Sequence, residues 1–334
     1  MTLPRTATIR VSRGILVALL GAVVACGGPA EAPPEAPPEG EVMAPEAPAP
    51  DASVIVAPDA VVELVQDGYA FTEGPVAGPD GSLYFSDIPA NHIHRLRPDG
   101  TVELFREETN GANGLAIDDE GRIIAVEGGS GRVVAIDAEG NLEVLVERSD
   151  EGPGRPNDLI LDGRGGLYIT DPAPRPEAGA APSRPSRVFY LSPAGDLVLL
   201  TDQIERPNGI TLTLDGQTLV IANSAGTELL AMSVQPDGTA TGLRTWGQLR
   251  GIPAGETSAA DGLAIDADGR VYVATRVGVQ VLNPEGEHLE TIETPKQPSN
   301  IAFGGPNREL LYITAREGLY RVPLLTRGPA DRFK

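Results

Sequence analysis

Six polar residues recur in one phase along the chain: Glu73, Asn113, Asn157, Asn208, Asp261 and Asn300. Each opens a phrase in which a small or apolar residue, an apolar run, an acidic-Gly turn and a second apolar run follow. Two carboxylates and four amide carbonyls around one axis would make a hard, oxygen-rich site. That donor chemistry suits Ca2+, which takes about 6–8 oxygens with water completing the shell; Mg2+, Mn2+ and Zn2+ are the other divalent candidates. His92, His94 and His288 fall outside the phase and the single cysteine is Cys26, so a His/Cys zinc site has no donors. Asn-Gly and Asp-Gly are also ordinary turn dipeptides, and any one copy could simply begin a strand. The shared phase, the variation from Glu to Asn to Asp, and Glu73-Gly-Pro, which is not a turn signal, favour a common site.

The elements that must position these residues follow from the repeat. Its starts are separated by 40, 44, 51, 53 and 39 residues, the period of propeller blades, and six starts predict an all-β, six-bladed β-propeller. The second copy shows a whole blade: strands over Leu115–Asp118, Arg122–Val126, Arg132–Asp137 and Leu142–Glu147, with hairpins at Glu120-Gly121 and Glu139-Gly140. Further Asp-Gly pairs, among them Asp80-Gly81, Asp99-Gly100, Asp215-Gly216 and Asp268-Gly269, repeat the punctuation. The last copy supplies three strands only. The apolar segment 61–65 before the first blade is predicted to pair with it, closing the ring and removing both open edges. The insertion from Pro172 to Arg187 falls between the second and third strands of blade three and is expected at the rim of the same face.

The ends and the charge narrow the function classes. Arg5, Arg10 and Arg13 precede an apolar stretch from Ile15 to Ala25. That stretch is shorter than the ~20 residues a membrane span needs and reads as an export signal over 1–25. Val23-Val24-Ala25-Cys26 resembles a bacterial lipobox, which would make Cys26 a lipidated N-terminus and place the protein in the cell envelope, on the outer membrane facing the periplasm because Gly27 follows the cysteine. Residues 26–59 are rich in Pro, Ala and Glu and are expected to be a disordered tether, leaving 60–325 as the propeller. The chain holds 47 acidic and 26 basic residues, a net charge of −21; the signal contains three arginines and no acid, so its removal leaves about −24. That charge argues against nucleic acid and anionic headgroups as partners of the domain, with membrane contact only through the lipid anchor. A monomer is the expectation.

Phe71-Thr-Glu-Gly-Pro-Val, Leu83-Tyr-Phe-Ser-Asp-Ile, Ala112-Asn-Gly-Leu, Arg155-Pro-Asn-Asp-Leu, Leu167-Tyr-Ile-Thr-Asp-Pro, Pro207-Asn-Gly-Ile and Asp261-Gly-Leu-Ala-Ile-Asp, in this order, resemble the gluconolactonase/regucalcin (senescence marker protein) family across residues 60–323. The resemblance implies that Glu73, Asn208 and Asp261 are divalent-metal ligands. It implies that Asn157 completes the shell or binds substrate, that Arg155 contacts substrate, and that Asp158 is a carboxylate behind the ligands. Glu127 matches a position where bacterial members carry Glu-His, but here Gly128 follows, and the family's tryptophan after Glu-Gly-Pro-Val is Ala77. Both departures bear on the substrate rather than on the metal.

The expected activity is hydrolysis of a sugar-type lactone. A metal held by Glu73, Asn157, Asn208 and Asp261 would polarise the lactone carbonyl. Asp261, or else Asp158, would take the proton from water. Arg155, Asn157, Asn113 and Glu127 are the candidate substrate contacts, although Arg155 could equally be a surface partner of Glu151. Asp87 and Asp171, at the ends of second strands, are expected to cap blades. Two alternatives stand beside this reading: a metal-dependent hydrolase of other esters or phosphoesters, and a non-catalytic binding module with a structural metal.

Overall fold

The computed structural model describes residues 55–176 and 180–330. The signal, Cys26 and the tether up to residue 54 lie outside them. All regular elements among the described residues are strands, forming six four-stranded antiparallel sheets. Five are consecutive in sequence. The sixth combines Asn300–Gly304, Leu310–Ala315 and Gly318–Pro323 with the N-terminal strand Glu63–Asp67. Glu63 faces Arg321 and Asp67 faces Gly318 in that pairing. The closing strand therefore lies two residues beyond the predicted segment, and Val61 is exposed.

Six apolar clusters hold the ring, one for each interface between neighbouring blades. Blades two and three share Ala116, Ile124 and Val133 with Leu159, Ile169 and Phe189. The last interface, Ala302, Tyr312 and Leu319 against Leu83, Phe85 and Leu96, joins blade six to blade one. Burial on both faces explains why inner strands such as Ile123–Glu127 are apolar almost throughout and buried at every position, whereas outer strands such as Val102–Arg106 are not. The folded domain begins earlier than residue 60. Ile55 is fully buried with Tyr272, Phe303 and Leu324, and its carbonyl accepts a hydrogen bond from Leu325 N at 2.8 Å. The Ile55-Val56 pair is long enough to fill a groove beneath the closing blade, and the Pro/Glu composition before it concealed that boundary.

Many of the acids serve the hairpins. Asp118 Oδ1 accepts from Glu120 N and Arg122 N at 3.0 and 2.8 Å, and Gly121 takes a φ of 79° that a side chain would resist. Asp99, Asp137 and Asp237 act likewise in other hairpins. Hydrogen bonds from Thr101, Asn141 and Thr239, respectively, hold these carboxyls below the usual carboxylate range. A depressed folded pKa contributes stability that is present above the unfolded pKa of about 3.9 and is lost as pH falls through the folded value. The urea midpoint of the domain is accordingly expected to fall below about pH 4. Replacing all three aspartates with Asn should flatten that part of the profile.

Candidate metal and substrate site

The residues that open the blades meet at one end of the ring because their backbones interlock. Four are followed by glycine, and the next blade uses the space. A Cβ on Gly74 would overlap the carbonyl of Asn113, and one on Gly209 the carbonyl of Asp261. A Cβ on Gly114 would overlap Asp158 Oδ1, and one on Gly262 the amide of Asn300. These glycines are therefore demanded by close approach between blades. The turn reading of Asn-Gly and Asp-Gly fails here: Gly114, Gly209 and Gly262 all have negative φ.

β-Bulges occur at the same place. The first strands of blades one, two and four gain one residue relative to their partners, between Glu73 and Val76, Ala112 and Leu115, and Pro207 and Ile210. Such a bulge re-aims the side chain at its start. Asn300 differs, sitting in regular register opposite Thr314. Hydroxyls tie the ring together from blade to blade. Ser86 Oγ donates to Asn113 O at 2.8 Å, Thr170 Oγ1 to Asn208 O at 2.7 Å, Ser224 Oγ to Ala260 O at 2.6 Å and Ser299 Oγ to Thr72 O at 2.7 Å. Sequence reasoning missed these residues. Ser86, Thr170 and Ser224 each end or follow a second strand, so the shared phase that revealed the polar set was also available for them.

The centre of the site is acidic and mostly closed. Glu73 is 4% exposed, and its Oε2 accepts from Gly74 N at 2.9 Å and Asn300 Nδ2 at 3.0 Å. Asn300, 2% exposed, thus orients Glu73; its Oδ1 is engaged by Ile301 N. Asp158 is buried, and its Oδ1 accepts from Leu159 N at 2.9 Å. Asn208 donates through Nδ2 to Ser224 Oγ at 3.1 Å. Part of Asp261 reaches solvent, but its Oδ1 is buried without a hydrogen-bond partner among the described residues. Burial pushes this carboxyl well above the usual carboxylate range. The Glu73 and Asp158 carboxylates add to the rise, while Arg206 and Asn208 oppose it.

A buried carboxylate oxygen lacking a donor, beside two further carboxylates, is the chemistry a hard cation satisfies. Glu73, Asn208 and Asp261, with Asn157 at the rim, fit such an ion. Asn157 and Asn113 are half-buried, and their carbonyls accept from Gly114 N and Ser86 Oγ. Arg155 is exposed, and its backbone N–H is held by Asp171 Oδ1 at 2.6 Å. Asp171 therefore caps the loop that carries Arg155, as Asp87 caps the loop before Glu73 through Ala70 N and Phe71 N. Glu127 occupies the corresponding strand end in blade two. It is 2% exposed, and its Oε2 accepts from Asn110, Ser130 and Arg132. Its Oε2 is thus held by donors of its own blade.

The insertion of blade three is anchored at its base. Arg184 pairs with Asp171 at 2.9 Å, and Ser186 Oγ bridges Ala173 N and Glu205 O.

The chain is similar to known proteins over most of its length. A gluconolactonase of Zymomonas mobilis is 29% identical over 300 residues, covering 80% of this chain and 82% of that protein. A pentonolactonase of Haloferax volcanii is 27% identical over 267 residues, covering 77% and 86%. The solved structure of a gluconolactonase from Xanthomonas campestris superposes with a TM-score of 0.71 at 29% identity, covering 80% of this chain and 90% of that one. Residues 71–317, most of the chain, match the SMP-30/Gluconolactonase/LRE-like region, and the protein belongs to that family.

Proposed function

We propose that this protein is a divalent-cation-dependent hydrolase that opens a sugar-type lactone. The observation that carries the reading is the buried Asp261 Oδ1, without a donor among the described residues and flanked by Glu73 and Asp158 at the mouth of the ring. The two lactonase relatives support the reaction class. Glu73, Asn208, Asp261 and Asn157 would hold the ion, and Ca2+ suits these oxygens best. Bound there, the ion would supply Lewis acidity to a lactone carbonyl.

The chain's own groups account for binding and proton transfer. Arg155, Asn113 and Asn157, at the rim, are placed to hydrogen-bond the substrate's hydroxyls and orient the ring. Water adds to the carbonyl carbon, the acyl C–O bond breaks, and the ring oxygen leaves as a hydroxyl, giving the hydroxy acid. Asp261 accepts the proton from the attacking water and returns it to the departing ring oxygen. Asp158 acts through Asp261, because a second buried carboxylate raises the proton affinity of the first. The export signal, Cys26 and the tether support a lipid-anchored domain in the cell envelope, working on its lactone as a monomer outside the cytoplasm.

The test is turnover of a panel of aldonolactones and aryl esters by chelated protein, before and after addition of Ca2+, Mg2+, Mn2+ or Zn2+. Turnover that disappears on chelation and returns with one ion is expected. Tight ion binding with no turnover of any lactone or ester would replace this reading with the binding module.

A further inference from the structure

Basic residues gather beside the acidic centre of a strongly acidic protein. Arg206 immediately precedes the Pro207-Asn208 start of blade four and is half-buried, and its Nη1 reaches Ala173 O, at the base of the insertion, at 3.4 Å. Its backbone N–H is held by Asn223 Oδ1 at 3.3 Å, so the residue is fixed at both ends. Burial, then Arg175 and Arg155, lower its pKa, while Asp261 opposes them. The Arg155 N–H on Asp171 Oδ1 at 2.6 Å and Arg206 Nη1 at Ala173 O place both arginines against the segment 171–173, two residues before Arg175. Ser224, bonded to Arg206 O through its N–H and to Ala260 O through its Oγ, ties Arg206 to the start of the Asp261 strand. Arg155 packs its stem over Gly128, where a Cβ would lie 3.7 Å from Arg155 Cγ. None of Arg155, Arg175 and Arg206 forms an ion pair among the described residues, although acids outnumber bases by 47 to 26. Neighbouring Arg184, by contrast, is spent on Asp171.

We propose that Arg206 and Arg175, with Arg155, form an anion subsite, and that the substrate is a lactone bearing a carboxylate or phosphate away from the scissile ester. This rests on the lactonase reading of the same mouth. Guanidinium groups suit either anion, because their planar fork matches two oxygens at once. The three cations also offset the local charge: Glu73, Asp158 and Asp261 would otherwise repel an anionic substrate, as would the net charge of −21. A neutral sugar lactone needs no such offset. The subsite lies between two blades with Arg175 at the described base of the insertion, where Arg184 is anchored to Asp171.

The experiment compares kcat/KM for a neutral aldonolactone, an aldaric acid monolactone carrying a free carboxylate, and a phosphorylated aldonolactone, using the cation-loaded wild type, Arg206→Gln and Arg175→Gln. The wild type is expected to favour one anionic lactone over the neutral one by about tenfold or more, which is the worth of one charge-assisted contact. Arg206→Gln should reduce that ratio about tenfold, chiefly through KM, and raised salt should reduce it too. Which anionic lactone wins identifies carboxylate or phosphate. Equal use of neutral and anionic lactones, or an unchanged ratio in both variants, overturns the subsite. An equal loss on all three lactones in Arg206→Gln overturns it as well, assigning the arginine to the carboxylate formed at the reacting carbon. Failure to turn over any lactone would instead strike the reaction class. Calorimetric binding of the aldarate dianion to wild type and Arg206→Gln then still decides the subsite: it stands if the wild type binds the dianion about tenfold more tightly, and falls if the two bind alike.

Discussion

Asp261→Asn is expected to reduce lactone turnover about a thousandfold and, at the same time, to raise the melting temperature of the chelated protein. The first effect follows from removing the proton acceptor and one charge of the cation site; losses of this size accompany removal of a group that acts on the developing charge. The second follows from the burial of the group. Its Oδ1 lacks a donor among the described residues, and burial, Glu73 and Asp158 all disfavour its ionised form. A folded pKa above the unfolded one means that the proton stabilises the fold. That stability is complete below the unfolded value of about 3.9 and is lost as pH rises through the folded value. The variant should therefore match the chelated wild type below about pH 4 and lead it above neutrality by about 0.5–2 kcal/mol, the range of a single stabilising substitution. Adding the preferred ion should restore the wild type and leave Asp261→Asn little changed. Melting curves at two pH values, with and without chelator, measure this beside kcat/KM. A variant that keeps its turnover, or that melts below the chelated wild type at neutral pH, would sink the assignment of Asp261.

Gly209→Ala is the second large effect. The residue follows Asn208 inside the first strand of blade four, Pro207–Leu212, and an added Cβ would overlap the Asp261 carbonyl and lie 2.8 Å from Gly262 Cα. Both obstacles are backbone, so no rotamer change relieves them. The expected cost is about 3 kcal/mol, the upper end for overpacking a close-packed contact. Because the atoms displaced belong to Asp261 itself, cation affinity should fall with stability. Gly100→Ala supplies the contrast. Gly100 has a φ of 88° in a hairpin with nothing within 4 Å, so that change costs only backbone strain, about 1 kcal/mol, and leaves the cation site alone. Urea midpoints and calorimetric ion titrations of the two variants separate the cases. Equal costs would mean that Gly209 is an ordinary turn glycine.

Much of the site was legible because a propeller repeats its chemistry. Glu73, Asn113, Asn157, Asn208 and Asp261 share a phase that no local element requires, and Asp-Gly hairpins recur at the spacing of blade strands. The closing strand was legible for a similar reason: three strands at one end and an unpaired apolar segment at the other leave two open edges. Its register was not. Glu63–Asp67, rather than the more apolar 61–65, pairs with Gly318–Pro323, because the outermost position needs little burial while the preceding chain must place Ile55 beneath blade six.

The sequence by itself determined the repeat, the antiparallel hairpins and which polar residues share a place in them, since these depend on alternation, turn chemistry and phase along one strand. Only the tertiary structure decided what that shared place does. The glycines after the polar residues look like turn residues until the next blade arrives in the space they leave. Asn300 shares the phase but turns its amide to Glu73, and Glu127 shares an acid's type but its Oε2 is held by Arg132, Ser130 and Asn110. Arg206 carries no motif, yet it is tied to the base of the insertion at Ala173 and, through Ser224, to Ala260 beside Asp261, because two blades converge there. Each of these depends on contacts between residues far apart in the chain, where burial and opposing charge, rather than spacing, set the role of a side chain.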